Sequence, residues 1–321
     1  MKGDLSFEGR VAVVTGGGGG LGTAHVRLLA ARGAAVVVND LPLPSAMPSG
    51  DVAVAEATVG ASSSAARLVS EIEAAGGRAH LCEVDITAED GAARLVSTAV
   101  ERFGRLDIVI NNAGVLRSVD FGEMTAKVFD EVMTVNLRAT FLVTAAAWPV
   151  MAAQRFGRIL STTSNSGLLG TAGSTAYAMA KAGLWGLTRS LALEGRNLGI
   201  NVNAIAPIAF TAMSQTSRVA PPAWRDGTGD DWARRLDPAR VAPAAAWLVH
   251  ADCAVTGQIW SVAGGRVAQF FMGLTDGYVD DGLTIESVRD RVSELFHDDA
   301  FEIPRRSADE SRDLRRRLLG S

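Results

Sequence analysis

The chain has 321 residues, a formal net charge of -4, 48% hydrophobic and 21% charged residues. That length and apolar content allow one large α/β domain or two small ones around a sizeable core. The slightly acidic balance gives no electrostatic footprint for nucleic acid, and two isolated cysteines, Cys82 and Cys253, exclude a disulfide framework or thiolate metal site and read as buried small hydrophobes.

His25, His80, His250 and His297 show no metal-ligand spacing, so no metal is expected. Met1 to Arg10 lack the apolar stretch of a secretory leader. No apolar run approaches the roughly 20 residues of a spanning helix, and Leu318-Leu-Gly-Ser321 is not a peroxisomal address. The expectation is a cytoplasmic protein that does not enter a membrane.

Val11 to Thr15 reads as a buried strand running into Gly16-Gly-Gly-Gly-Gly-Gly-Leu-Gly22 and a helix from Gly22 to Arg32. Glycines allow a tight turn and remove the Cβ atoms that would hold phosphates away, while the helix N-terminus favours an anion. Flexible loops are glycine-rich too; strand before and helix after point to a dinucleotide site. The second strand, Ala35 to Asn39, leads into Asp40, eighteen positions after Gly22. A carboxylate there accepts from the adenosine ribose hydroxyls and repels a 2′-phosphate, which favours NAD over NADP.

Leu41 to Ser64, rich in Pro, Ser, Ala and Gly, is too long for an ordinary strand-to-helix loop and reads as an insertion. Helices are expected at Ala65 to Ala75, Gly91 to Phe103 and Ala176 to Leu198, and strands at Ala79 to Val84, Ile108 to Asn111, Arg158 to Thr162 and Ile200 to Ile205. Unbroken apolar strands alternating with helices predict an α/β fold, a doubly wound, Rossmann-like parallel sheet in three αβα layers. Ser164 follows the fifth strand, and Tyr177 and Lys181 stand four apart, hence on one helical face. An ammonium beside a phenol stabilises the phenolate and lowers its pKa, so the tyrosine can serve as acid or base. A serine hydroxyl can hold the reacting oxygen. Thr211 to Leu236, with Trp224 and Trp232, suits either a substrate lid or ordinary packing. The dehydrogenase domain is expected over 1–265. Residues 266–321 form an extension packed on that domain or on a subunit partner, with a turn and helix cap at Asp281-Gly-Leu-Thr284, a helix after Ile285 and a basic amphipathic end.

Together Thr15-Gly16 with Gly20 and Gly22, Asn111-Asn-Ala-Gly114, Asn136, Ser164 and, thirteen residues on, Tyr177 with Lys181 resemble the short-chain dehydrogenase/reductase family over most of residues 7 to 265. The resemblance implies that Tyr177 is the catalytic acid/base, that Ser164 polarises the substrate oxygen, that Lys181 binds the nicotinamide ribose and tunes Tyr177, and that Asn136 holds the water of a proton relay. It implies an NAD site made by Gly16, Gly20, Leu21, Gly22, Asp40, Asp85 and Ile86 beside the adenine, Asn112, Ala113 and Gly114 beside the ribose, and Tyr177, Lys181 and Pro207. Pro207-Ile-Ala-Phe-Thr211 departs from the family's Pro-Gly, so Thr211 is not assigned to the nicotinamide amide. The family also implies a homodimer or homotetramer.

Val38-Asn-Asp-Leu41, Ala146-Ala-Trp148, Leu193-Glu-Gly-Arg196, Ala204-Ile-Ala-Pro207, Val241-Ala-Pro243 and Trp247-Leu-Val-His250 resemble the (3R)-hydroxyacyl-CoA dehydrogenase branch, found in peroxisomal multifunctional enzymes of type 2 and in stand-alone bacterial relatives. That implies oxidation of a 3-hydroxyacyl-CoA, fatty acyl or steroid side chain, in β-oxidation. Oxidation of a free steroid or other secondary alcohol, 3-oxoacyl-carrier-protein reduction, and a silent dinucleotide-binding scaffold are the alternatives.

Overall fold

The computed structural model describes residues 5–41, 63–215, 234–296 and 301–319. Residues 42–62 of the expected insertion and 216–233 of the expected lid lie outside them. The chain divides into two compact units, Met1–Gln269 and Phe270–Ser321.

In the first unit the described elements are β1 (Val11–Thr15), α1 (Gly20–Ala31), β2 (Ala35–Asn39), α2 (Ser64–Ala74), β3 (Arg78–Cys82), α3 (Gly91–Phe103), β4 (Ile108–Asn111), α4 (Ala126–Met133), α5 (Ala139–Gln154), β5 (Gly157–Thr162), α6 (Ser166–Leu169), α7 (Thr175–Glu194), β6 (Ile200–Ile208), α8 (Ala212–Gln215), α9 (Ala242–Val249), β7 (Ile259–Ala263) and β8 (Arg266–Phe270). The strands form one sheet in the order β3-β2-β1-β4-β5-β6-β7-β8, parallel from β3 through β7. Alternate residues of each strand enter opposite layers. Ala12 and Val14 pack with α1, α2 and α9 on one face, through Val26, Leu29, Leu68, Ala245 and Leu248. Val11 and Val13 pack on the other face with α3 and α5, through Leu95, Ala99, Val143 and Met151. The chain reverses its winding between β1 and β4, which opens a crevice at their carboxyl ends, where α/β sheets bind ligands.

Three boundaries differ from the sequence expectation for local reasons. β3 stops at Cys82, not Val84, because Asn39 Nδ2 donates to the carbonyls of Cys82 (2.9 Å) and Val84 (3.0 Å) and ends the ladder. β6 continues to Ile208 because β7 pairs with it there, Pro207 beside Val262 and Ile208 beside Ala263, which sets Pro207 inside a strand end. No element is expected from the sequence between Asn111 and Arg158, yet α4 and α5 form a continuous 29-residue helix, Ala126–Gln154, joined by a π-helical turn at Thr134–Arg138. This helix is long and apolar enough, by length and composition, to cross a membrane, which corrects the expectation that no run approaches that size. Its Ala139, Val143, Ala147 and Met151, at four-residue spacing, are fully buried in the layer beneath β4 and β5.

Asp107, fully buried, ties the amino ends of β1 and β4 together: it accepts from the Val11 N–H at 3.0 Å, from Arg10 at 3.0 Å and from Arg105 at 2.7 Å. In the second unit a short antiparallel pair, β9 (Leu274–Thr275) with β10 (Phe301–Glu302), accompanies α10 (Ile285–Arg291) and α11 (Ser307–Leu319). Thr284 and Ser287 cap α10 reciprocally, at 3.1 Å and 3.0 Å.

Candidate active site

A cleft of about 560 Å³ opens above the carboxyl ends of β1, β4, β5 and β6. At one end it is lined by Gly16, Gly19, Gly20, Leu21 and Asp40. The turn from β1 into α1 needs glycine at Gly22, because a Cβ there would stand 2.0 Å from the Gly16 carbonyl oxygen. Asp40 is fixed above this loop: Oδ2 accepts the Gly18 N–H at 2.8 Å and Oδ1 the Leu41 N–H at 2.9 Å. A pyrophosphate fits here. α1 begins at Gly20, so its first N–H groups have no helical acceptors, and a side chain added at Gly19 would occupy open space with no atom within 4 Å.

Asn112, Ala113 and Gly114 line the middle of the cleft. Thr15 Oγ1 accepts from the backbone N–H groups of Asn112 (3.0 Å) and Ala113 (3.1 Å), and Asn112 Nδ2 donates to the carbonyls of Thr15 and Gly16, both 3.1 Å. The loop after β4 is thus clamped to the end of β1. Asn136 sits in the π turn, fully buried. Its Nδ2 donates to the carbonyls of Val115 (2.8 Å) and Val132 (2.9 Å), and its Oδ1 accepts the Val115 N–H at 3.3 Å. The side chain is therefore engaged in anchoring the loop. The vacant Cβ position of Gly114 lies 2.6 Å from Asn136 Oδ1 and 3.6 Å from Lys181 Nζ, so these three residues meet at the cleft wall.

Ser164, Tyr177 and Lys181 form the reacting end. Ser164 is buried just beyond β5, and its hydroxyl lowers the pKa of the neighbouring Tyr177 phenol. Tyr177 and Lys181 face the cleft from successive turns of α7. Lys181 Nζ donates to the Thr162 carbonyl at 2.7 Å and lies 5.6 Å from the centre of the Tyr177 ring. Burial lowers the Lys181 pKa from 10.5 to about 8. Burial pushes the Tyr177 phenol pKa up, and the neighbouring Ser164 hydroxyl pulls it down. Pro207, Ile208, Ala209 and Thr211 close the far wall, and Thr211 Oγ1 accepts the Ser214 N–H at 3.3 Å at the start of α8.

Three of the expected cofactor residues do not line the cleft: Gly22, packed against the Gly16 carbonyl, and Asp85 and Ile86. Asp85 is exposed, and its Oδ1 accepts from the backbone N–H of Thr87 at 2.8 Å and from its hydroxyl at 2.7 Å, closing a turn after β3. Ile86 is buried in the layer with α3 and α5. The sequence also left out Asn165, Ser166, Thr171 and Ser174, polar residues on the wall beyond Ser164, and the apolar Leu116 and Met213. No spacing marks these: the four polar residues reach the cleft through the turn between β5 and α7, Leu116 through the loop after β4 and Met213 through α8.

Residues 51–221 match the family model described as short chain dehydrogenase. Peroxisomal multifunctional enzyme type 2 of Mus musculus is 39% identical over 300 residues, which cover 92% of this chain and 38% of that protein; the chain spans less than half of this relative. A short-chain type dehydrogenase/reductase of Mycobacterium tuberculosis is 38% identical over 289 residues, 90% of this chain and 94% of that one. Among solved structures, a short chain dehydrogenase from Mycobacterium avium superimposes with a TM-score of 0.73 at 34% identity, over 90% of this chain and 94% of that chain. With these similarities joined to a glycine-lined crevice and a Ser-Tyr-Lys constellation, the chain belongs to the short-chain dehydrogenase family and is an oxidoreductase acting on an alcohol or keto group.

Proposed function

We propose that the protein oxidises a 3-hydroxyacyl-CoA to the 3-ketoacyl-CoA with NAD. The observation that carries the chemistry is the convergence of Ser164, Tyr177 and Lys181 on one cleft whose opposite end is the glycine turn beneath Asp40. The substrate class is supported by the branch motifs and by the similarity to the mouse enzyme along most of this chain.

When bound, NAD supplies the hydride acceptor. Ser164 holds the substrate oxygen by a hydrogen bond, and Tyr177 Oη takes the hydroxyl proton as the C–H bond at the same carbon breaks. In the reverse direction Tyr177 returns that proton to the ketone. Lys181, with a pKa of about 8, gains and loses a proton close to neutral pH beside Tyr177. Asp40, already fixed by two backbone N–H groups, presents its remaining lone pairs to the ribose hydroxyls and repels a 2′-phosphate, which supports NAD.

The test is the rate of nicotinamide reduction with NAD and NADP across (3R)- and (3S)-hydroxyacyl-CoA thioesters and free steroid alcohols. Turnover of one thioester enantiomer with NAD is expected. Turnover of free alcohols alone refutes the substrate; equal rates with NADP refute the role of Asp40.

A further inference from the structure

Asn165 follows Ser164 and lines the cleft, half-buried. Ser164 Oγ accepts the Ser166 N–H at 3.1 Å and donates to Asn165 Oδ1 at 3.3 Å. A hydroxyl has one proton and two acceptor sites. With its proton on Asn165 Oδ1, Ser164 sets the rotation of that amide: carbonyl toward Ser164, NH₂ turned away. Among the described residues the Asn165 side chain makes no other hydrogen bond. The reacting end thus carries donors on two adjacent residues, the Ser164 hydroxyl and the Asn165 NH₂.

A 3-hydroxyacyl thioester carries two oxygens, on C3 and C1, that approach one another at about 3 Å, the separation of neighbouring hydrogen-bonding groups. A simple secondary alcohol carries one. We propose that Asn165 is a specificity residue that donates from its NH₂ to the thioester carbonyl while Ser164 holds the C3 oxygen. This rests on the substrate reading above. Docking the C3 oxygen draws the Ser164 proton off Asn165 Oδ1, so recognition of the second oxygen and release of the serine hydroxyl occur on the same two side chains. An enzyme built this way rejects analogues lacking the carbonyl, because the amide is left without its acceptor.

The experiment compares (3R)-3-hydroxybutyryl-CoA with the thioether S-(3-hydroxybutyl)-CoA of the same configuration, in which a methylene replaces the carbonyl. The ratio of their kcat/KM values is measured in the wild type, in Asn165→Ala and in Asn165→Asp. The aspartate keeps an acceptor for Ser164 and removes the donor, which separates recognition from positioning of the serine. Both variants are expected to shrink the ratio about tenfold or more, the loss of one hydrogen bond. If Asn165→Asp keeps the wild-type ratio, or both substrates lose the same factor in both variants, Asn165 serves only to orient Ser164 and the inference is overturned while the thioester reading stands. If the wild type turns over no 3-hydroxyacyl-CoA, the substrate reading falls and the inference with it.

Discussion

His25, on the inward face of α1 one turn from the glycine loop, offers a quantitative test of how that helix is held. The side chain is 1% exposed, and neither ring nitrogen has a protein hydrogen-bond partner. Burial lowers its pKa from 6.5 to about 4. The unfolded chain therefore binds more protons than the native one between those values, and stability falls as pH drops through that window, with the full loss below the folded value. At about 1.4 kcal/mol per tenfold, the displacement amounts to about 3 kcal/mol. His25→Leu removes the titration and keeps an apolar side chain of similar size. Urea unfolding of both proteins at about pH 7 and about pH 4 gives four stabilities, and their double difference cancels the carboxylates common to both. The wild type should lose about 3 kcal/mol more than the variant on acidification. If the two lose the same amount, the histidine gains no proton on unfolding and is not held neutral by burial.

Tyr177→Phe should cut kcat by about a hundredfold or more, the usual contribution of a positioned acid/base, while NAD affinity measured by calorimetry changes little; a variant that retains turnover removes Tyr177 from the proton transfer. Asp40→Ala should weaken NAD and narrow its preference over NADP by about tenfold, the scale of one charged hydrogen bond, read from kcat/KM for both dinucleotides; an unchanged preference dissociates the carboxylate from the ribose. Asp107→Ala leaves the Val11 N–H and two arginines without their shared acceptor and should lower stability by about 3 kcal/mol in denaturant titration; a loss under about 1 kcal/mol shows that water replaces the carboxylate.

Strands buried on both faces were readable from sequence because each is an apolar run closed by one polar residue, Thr15, Asn39 or Asn111: Val11–Thr15, Ala35–Asn39 and Ile108–Asn111 begin and end where the pattern does. Gly91–Phe103 was equally legible, since its apolar positions recur on one side. Long helix Ala126–Gln154 escaped because its core-facing residues past the π turn are largely alanine and threonine among other apolar residues, so no stripe stands out. In the cleft, spacing was enough to bring Tyr177 and Lys181 onto one face, but it could not say that Lys181 would turn to the Thr162 carbonyl, a contact made across the fold. Likewise the bond from the Thr87 N–H to Asp85 Oδ1, which closes a turn two residues on, is not announced by chain position.

The π turn at Thr134–Arg138 holds one residue more than an α-helical path would need. Removing any one residue of the turn would let the helix run on regularly, and each position beyond the cut would rotate by about 100° relative to what precedes it. Such a shortened helix would gain in backbone regularity, but Asn136 and the Ala139-Val143-Ala147-Met151 ridge could no longer both keep their present directions. A single-codon deletion here should thus be selected against for loss of the loop anchor even where the helix itself becomes more stable, and homologues that lack the extra residue should carry a different anchor for the segment after Gly114.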